Sequence, residues 1–317
     1  MIKLMAIDMD GTLLSPNGRV SAKNAAALRR LLTYGINAVV CTGRSPQDAF
    51  QPLQEAGLFL PVLAMNGAAC YDANGRLRES APLSEQSVQD ILSKAREYGL
   101  IVDLMTEEGS ITTAEEGLFR TCFEAGELLP VAETKYEEIC GRFRFVSDEW
   151  VREEKPRVYK ASLIAPGETK VVLNLVRASL LTNSAMNVAS SADNNLELTA
   201  ETVSKGQALK TYAKSCGIRM SETAAVGDSE NDLSVFKLPL GLKAAMGNAA
   251  DCILREADLV TADNSHNGVA LLLTRLLDMD GEAADVIELY REEKRGKDLR
   301  AFLPSMPKTP SGCPIPA

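Results

Sequence analysis

Short apolar runs alternate with stretches of helical periodicity over the first part of the chain. Lys3 to Ile7 is a brief, mostly apolar run with the pattern of a buried strand, and it breaks at Asp8-Met9-Asp10-Gly11-Thr12. From Ser21 to Leu32 apolar residues recur near helical spacing, with Ser21 placed as the N-cap and Gly35 as the stop. Ile36 to Cys41 predicts a second buried strand that ends at Thr42-Gly43-Arg44-Ser45, and a second helix starts near Pro46. Leu60 to Met65 predicts a third strand, ending at Asn66-Gly67, which reads as a turn. Strand, helix, strand, helix, strand implies a parallel sheet with right-handed crossovers.

The pattern changes from about Pro82. A helix is predicted near Ser84–Tyr98, strands near Leu100–Met105 and Ser110–Thr113, and a helix near 115–126. Val146 to Pro156 reads as irregular charged surface, followed by a strand at Val158–Ile164, a helix at Glu168–Leu181 and a strand at Met186–Ala189. This middle unit is an α+β insertion with an antiparallel sheet. The first pattern then resumes, with a helix from Lys205 to Gly217 and a strand from Thr223 to Val226 ending at Gly227-Asp228. The predicted fold class is therefore α/β, a doubly wound, Rossmann-like parallel-sheet core (residues 1–82 and 193–278) interrupted by an α+β domain (83–192). Residues 279–317 are set apart: Ala284 to Arg295 predicts a charged helix, and Leu303 to Ala317 holds five prolines, which favour extended, mobile chain.

Composition narrows the function classes. The 317 residues carry a net charge of −9, which excludes the basic surface needed for general nucleic-acid or anionic-membrane binding. No apolar run approaches the roughly 18 residues of a membrane-spanning helix. The opening Met1-Ile2-Lys3-Leu4 runs into a strand rather than a signal peptide, so a soluble, cytoplasmic protein is expected. Seven scattered cysteines include no CxxC pair and read as buried reduced thiols. One histidine, His266, makes a multi-histidine metal site impossible. The chemistry must run on carboxylates, amines, hydroxyls and backbone groups.

Ligands of parallel α/β sheets bind at the carboxyl ends of the strands. Asp8 and Asp10 lie two apart at one such end, where alternate side chains of extended backbone point the same way, and Asp228 ends a later strand. Crowded carboxylates repel unless a cation lies between them, and an all-oxygen donor set suits Mg²⁺.

Asp8-Met9-Asp10-Gly11-Thr12-Leu13 resembles the first motif of the haloacid dehalogenase (HAD) superfamily. Thr42-Gly43-Arg44 is similar to its second motif, Lys205 in Val203-Ser204-Lys205-Gly206 to its third, and Gly227-Asp228-Ser229-Glu230-Asn231-Asp232 to its fourth. Ala245-Met246-Gly247-Asn248-Ala249 adds a fifth segment in order, and the inserted middle resembles the type IIB cap of the Cof-type hydrolases, the likeness covering about residues 1–277. The resemblance implies a Mg²⁺-dependent phosphatase acting on small phosphorylated metabolites, such as sugar phosphates or phosphorylated cofactors. It makes Asp8 the nucleophile that becomes an aspartyl-phosphate and Asp10 the general acid and base. It assigns Mg²⁺ to Asp8, the backbone carbonyl of Asp10, and Asp228. Phosphate oxygens fall to the Thr42 hydroxyl, backbone N–H groups near Met9 and Gly43, Lys205 and Asn231, while Asp232 orients Lys205 or a metal-bound water.

Several residues keep two readings. Arg44 either meets substrate or forms a structural ion pair, Thr42 competes with Ser45 to cap the following helix, and Met246 is core or loop packing. Cap residues near Leu104, Glu107 and Lys160 are candidates to face the cleft, their orientation being left open by the sequence. Two positions depart from the family, Asn267 before Gly268-Val269 and Thr202 before the Lys205 segment, and both concern loop shape rather than chemistry. Two rival functions use the same residues: a phosphosugar mutase that returns the phosphoryl group to its substrate, and a non-catalytic phosphate-ligand sensor or interaction protein. The complete carboxylate set counts against the sensor.

Overall fold

The structure, a computed structural model, describes residues 1–126, 128, 136–183 and 186–302. The stretch Leu303 to Ala317, with its expected mobile tail and Cys313, lies outside the described residues.

Strands β1 (Leu4–Ile7), β2 (Asn37–Cys41), β3 (Val62–Ala64), β4 (Ala69–Tyr71) and β5 (Leu77–Ser80) open the chain. β6 (Ile101–Thr106), β7 (Gly109–Thr112), β8 (Phe143–Phe145), β9 (Val158–Ile164), β10 (Met186–Ala189) and β11 (Asn195–Ala200) follow. β12 (Thr223–Gly227), β13 (Leu242–Ala245) and β14 (Leu259–Val260) complete the set. They form an eight-stranded sheet in the order β14-β13-β12-β1-β2-β3-β4-β5 and a six-stranded sheet in the order β10-β11-β9-β6-β7-β8.

The first sheet is parallel from β14 to β3. It is covered on both faces, which is why its strands read as unbroken apolar runs rather than alternations. Met5, Ile7, Ala38 and Val40 pack on one side with Leu28 and Leu31 of the helix Ala22–Thr33 and Leu272 and Leu276 of the helix Gly268–Asp278. Leu4, Ala6, Val39 and Cys41 pack on the other with Ala208, Leu209 and Ala213 of the helix Lys205–Ser215. Ser21 and Ser45 cap their helices as the sequence predicts, accepting from the Asn24 and Asp48 amides at 3.1 and 3.2 Å. β1 lies between β2 and β12, so successive crossovers leave it in opposite directions and open a crevice at its carboxyl end.

Four features differ from the sequence reading. The sheet continues past β3 into the antiparallel strands β4 and β5; β4 is three residues long, too short for a pattern, and β5 at the edge is polar and mostly exposed. Asp148–Glu154, inside the stretch read as irregular, is a helix capped by Ser147; it buries only Val151, too little for a periodic signal. The inserted sheet is antiparallel except where β7 and β8 run parallel. It also continues to Ala200, past the expected boundary at 192, because β11 pairs with β9 and β10. Leu196 and Leu198 on β11 fill the inserted unit's own apolar core.

The charged helix of the closing region runs from Ala283 to Phe302, with Val286 buried and Arg275 paired to Glu293 at 2.9 Å. Met246 is wholly buried in the core. Of the cysteines, Cys41 and Cys122 are buried and Cys216 is exposed, a departure from seven buried thiols. Among the described residues no helix is long and apolar enough to cross a membrane.

Candidate active site

The polar segments that end β1, β2 and β12 converge at one edge of the eight-stranded sheet. Beyond Asp8 the chain makes a wide turn over Met9–Leu13, closed by Leu13 N–H to the Asp8 carbonyl at 3.2 Å and Leu14 N–H to the Met9 carbonyl at 2.9 Å. Gly11 has φ +73°, and a Cβ there would lie 2.2 Å from the Asp228 carboxylate, so glycine meets both the backbone conformation and the close approach. The Thr12 hydroxyl donates to Asp228 at 2.8 Å. After β12 the Asp232 carboxylate folds back to accept from the amides of Asp228 and Ser229 at 3.0 and 3.2 Å.

Lys205 joins these pieces. It opens the helix Lys205–Ser215, whose N-cap Ser204 accepts from the Gln207 amide, and Gly206 lets that helix seat against Ser234. The Lys205 side chain is 1% exposed, and its Nζ donates to Asp8 at 2.6 Å, Asn231 at 2.8 Å and Asp232 at 2.8 Å. Burial disfavours the charged amine, but the facing Asp232 and Asp8 carboxylates outweigh it and hold Lys205 protonated above the usual lysine range.

One oxygen from each of Asp8, Asp228 and Asp232 lies within 4.8 Å of the others. Burial first, and repulsion from Asp232 second, push Asp8 well above the ordinary carboxylate value and Asp228 up to about 7, against the pull of Lys205. One amine does not neutralise three carboxylates at this spacing, and the oxygen donor set fits a hard divalent cation. Asp232 already meets Lys205 with one oxygen and two backbone amides with the other. Asp8 and Asp228 are thus better placed as ligands than Asp232.

The other predicted residues fall in three places. Thr42 is buried at the end of β2, where its hydroxyl accepts from the Arg44 amide at 3.1 Å; Ser45, not Thr42, caps the helix. Met9 is buried in the turn, and the Gly43 carbonyl accepts from Lys160 Nζ at 2.8 Å. Asn231 accepts from Lys205 and donates to Glu197 at 3.2 Å. The Asp10 side chain stands apart from the carboxylate cluster, 62% exposed, in the fork of Arg44 at 2.7 and 2.8 Å. That ion pair settles one of the two readings of Arg44. His266, bonded to Asp263 at 2.7 Å, has no part in the cluster.

Of the three cap candidates, Lys160 does reach the core. It is 2% exposed, pairs with Glu197 at 2.7 Å and grips the Gly43 carbonyl. Glu107 accepts from the Tyr159 hydroxyl, and its backbone carbonyl accepts from Gln47 at 3.4 Å across the seam. Leu104 is a correction: it points to the opposite face of β6, into the inserted unit's apolar core.

Two residues escaped the sequence reading. Asn66 does form a turn, with φ +58°, but its buried side chain donates to Glu197 at 2.8 Å. Glu197 then joins Lys160, Asn66 and Asn231. Burial would raise its pKa, but the Lys160 charge and these hydrogen bonds overcome that and hold it at about 2. A glutamate between two core leucines of a strand was the one available signal.

A model of the haloacid dehalogenase-like hydrolases matches residues 5–273. The chain is 33% identical to "Phosphatase YwpJ" of Bacillus subtilis (strain 168) over 291 residues, covering 87% of this chain and 100% of the relative. It is 28% identical to the B. subtilis "5-amino-6-(5-phospho-D-ribitylamino)uracil phosphatase YwtE", over 87% of this chain and 98% of that one. The solved structure of "the HAD Subclass IIB Sugar Phosphatase BT4131" shares the fold at a TM-score of 0.71 and 20% identity, covering 86% of this chain and 98% of that one. With the two-sheet architecture, the clustered aspartates and a family match across most of its length, the chain belongs to the haloacid dehalogenase-like hydrolases, as a Cof-type phosphatase with a type IIB cap.

Proposed function

We propose that the protein hydrolyses small phosphorylated metabolites, with Mg²⁺ as its cofactor and Asp8 as the nucleophile. The observation that carries this reading is the buried bond from Lys205 to Asp8 beside Asp228 and Asp232, at the crevice of a parallel sheet. Relatives that act on small phosphorylated compounds support the substrate class. The cytoplasm is the setting that goes with this reading.

An oxygen of Asp8 attacks phosphorus while the substrate's ester oxygen leaves and takes a proton from Asp10. Water then attacks the aspartyl-phosphate, Asp10 accepts its proton, and phosphate departs with Asp8 restored. Asp10 lies at the outer side of the site, where Arg44 fixes the direction of its carboxylate. Thr42, Asn231 and backbone amides of Met9 and Gly43 supply donors to the phosphoryl oxygens as their charge grows, and Lys205 joins them by turning the N–H that meets Asp8 toward the phosphoryl group. When held by Asp8, Asp228 and the Asp10 carbonyl, Mg²⁺ offsets the repulsion between an anionic nucleophile and an anionic phosphate.

Phosphate release from a panel of phosphometabolites, in EDTA and after Mg²⁺ is restored, tests this. Activity should vanish and return, and Asp8→Asn should abolish turnover while leaving the fold intact. Full activity in verified metal-free conditions, or unchanged turnover by the variant, overturns the reading.

A further inference from the structure

The six-stranded sheet turns one face to its own apolar core, while the other meets the eight-stranded domain through Lys160 and Glu197 and, at Ile101 and Ile164, the insertion's smaller cluster around Phe119 and Tyr136. Val102, Leu104, Ala161, Leu163, Leu196 and Leu198 take the first face. Side chains alternate along a strand, so Asp103, Ser162 and Glu197 take the second. The pairing sets Glu197 opposite Ser162 and Ser162 opposite Asp103, which places the three in one row across β11, β9 and β6. All three are buried.

One end of the row is anchored at the phosphate side of the site, where Glu197 accepts from Asn66 and Asn231. Two strand spacings put Asp103 about 10 Å from that end. This is the reach of a small sugar or polyol attached to a phosphate held beside Asp8. Asp103 is 5% exposed, yet one of its carboxylate oxygens has no hydrogen-bond partner among the described residues. A buried acceptor left unpaired is costly unless a partner arrives with a ligand. Asp48, on the core helix Pro46–Glu55, adds negative charge nearby, while Lys160 is engaged by Glu197 and the Gly43 carbonyl. Burial raises the Asp103 pKa to about 6, against a hydrogen bond from Ser110 and the Lys160 charge.

We propose that Asp103 selects the leaving group: its unpartnered oxygen accepts a hydrogen bond from a hydroxyl or amino group at the distal end of the substrate. The preferred substrates are phosphomonoesters with a donor-bearing, uncharged or cationic leaving group. Leaving groups that end in a carboxylate or a second phosphate are disfavoured. This rests on the phosphatase reading above.

The test compares kcat/KM for wild type, Asp103→Ala and Asp103→Asn on a pentitol phosphate, n-pentyl phosphate, a phosphopentonate with a terminal carboxylate, and acetyl phosphate. Acetyl phosphate is too short to span the row and reports on the phosphate end alone. Wild type should favour the pentitol ester over the pentyl ester by about 10- to 100-fold. Asp103→Ala should remove most of that preference, lowering the pentitol-to-acetyl ratio by a similar factor. Asp103→Asn keeps an acceptor without the charge, so it should retain the preference for the pentitol ester and accept the phosphopentonate about tenfold better. It also carries the test alone if the alanine variant fails to fold. Folded variants that cleave acetyl phosphate and discriminate as wild type does overturn the role of Asp103. A wild-type protein that cleaves none of the four, acetyl phosphate included, overturns the phosphatase reading and this inference with it.

Discussion

Replacing Lys205 by methionine keeps the volume of a buried side chain and deletes its charge. Lys205 is 1% exposed and meets Asp8, Asn231 and Asp232 within 2.8 Å, so the variant strands two buried carboxylates without their cation. Removing one partner of a buried ion pair costs about 3–5 kcal/mol. The cost depends on pH in a definite direction. Asp8 and Asp228 already lie above their unfolded values, and removing Lys205 raises Asp8 further. Carboxylates with raised folded pKa values bind more protons in the native state, so stability falls as pH rises from the unfolded value near 4 through about 7. Urea unfolding in EDTA at pH 5 and pH 8 should therefore show the larger penalty at pH 8. A penalty under about 1 kcal/mol, or one equal at both values, refutes the electrostatic account of the site.

Mg²⁺ binding should be linked to proton release, since Asp228 titrates at about 7 without the cation and must be ionised to hold it. Calorimetry in buffers of different ionisation enthalpy should show tighter binding at pH 8 than at pH 6, and pH-independent affinity would contradict this. Glu197→Gln should destabilise the folded protein by about 3–5 kcal/mol, because it leaves Lys160 buried without its counter-charge. Glu197 is held at about 2, so its contribution is full above its unfolded value near 4 and fades as pH falls toward 2; acid titration of the variant should lack that step. Gly11→Ala places a Cβ against Asp228 at φ +73° and should cost about 1–3 kcal/mol while weakening the Mg²⁺-induced rise in Tm. An unaltered metal response would count against the role of this turn.

The motifs at Asp8, Thr42 and Asp228 were legible because each follows an unbroken apolar strand, and a parallel sheet places its ligands at those ends; the Lys205 motif, which opens a helix after the alternating β11, was legible only through the family resemblance. Asp8, Lys205, Asn231, Asp228 and Asp232 converge as the family resemblance implied, whereas the Asp10 side chain, expected beside Asp8 from its two-residue spacing, turns out to Arg44 because the chain leaves extended backbone after Asp8. The domain boundary near 192 was less readable. β11 alternates leucine with polar residues, and alternation shows that a strand is half covered without saying which sheet covers it. The cap–core contacts were nearly invisible: Lys160 to Gly43 spans 117 positions and Asn66 to Glu197 spans 131. In the sequence Asn66 is a turn residue and Glu197 a charge among leucines.

The sequence by itself determined the parallel part of the sheet and the crevice at its carboxyl edge, because burial on both faces and backbone turns are written in local apolar pattern and glycine placement. Tertiary structure alone decided which carboxylates lie within 4.8 Å of one another, that Arg44 holds Asp10, and that Asp103 lies buried with an oxygen unpaired among the described residues. Those outcomes depend on distances between strands from different parts of the chain, and electrostatic coupling follows those distances rather than positions in sequence.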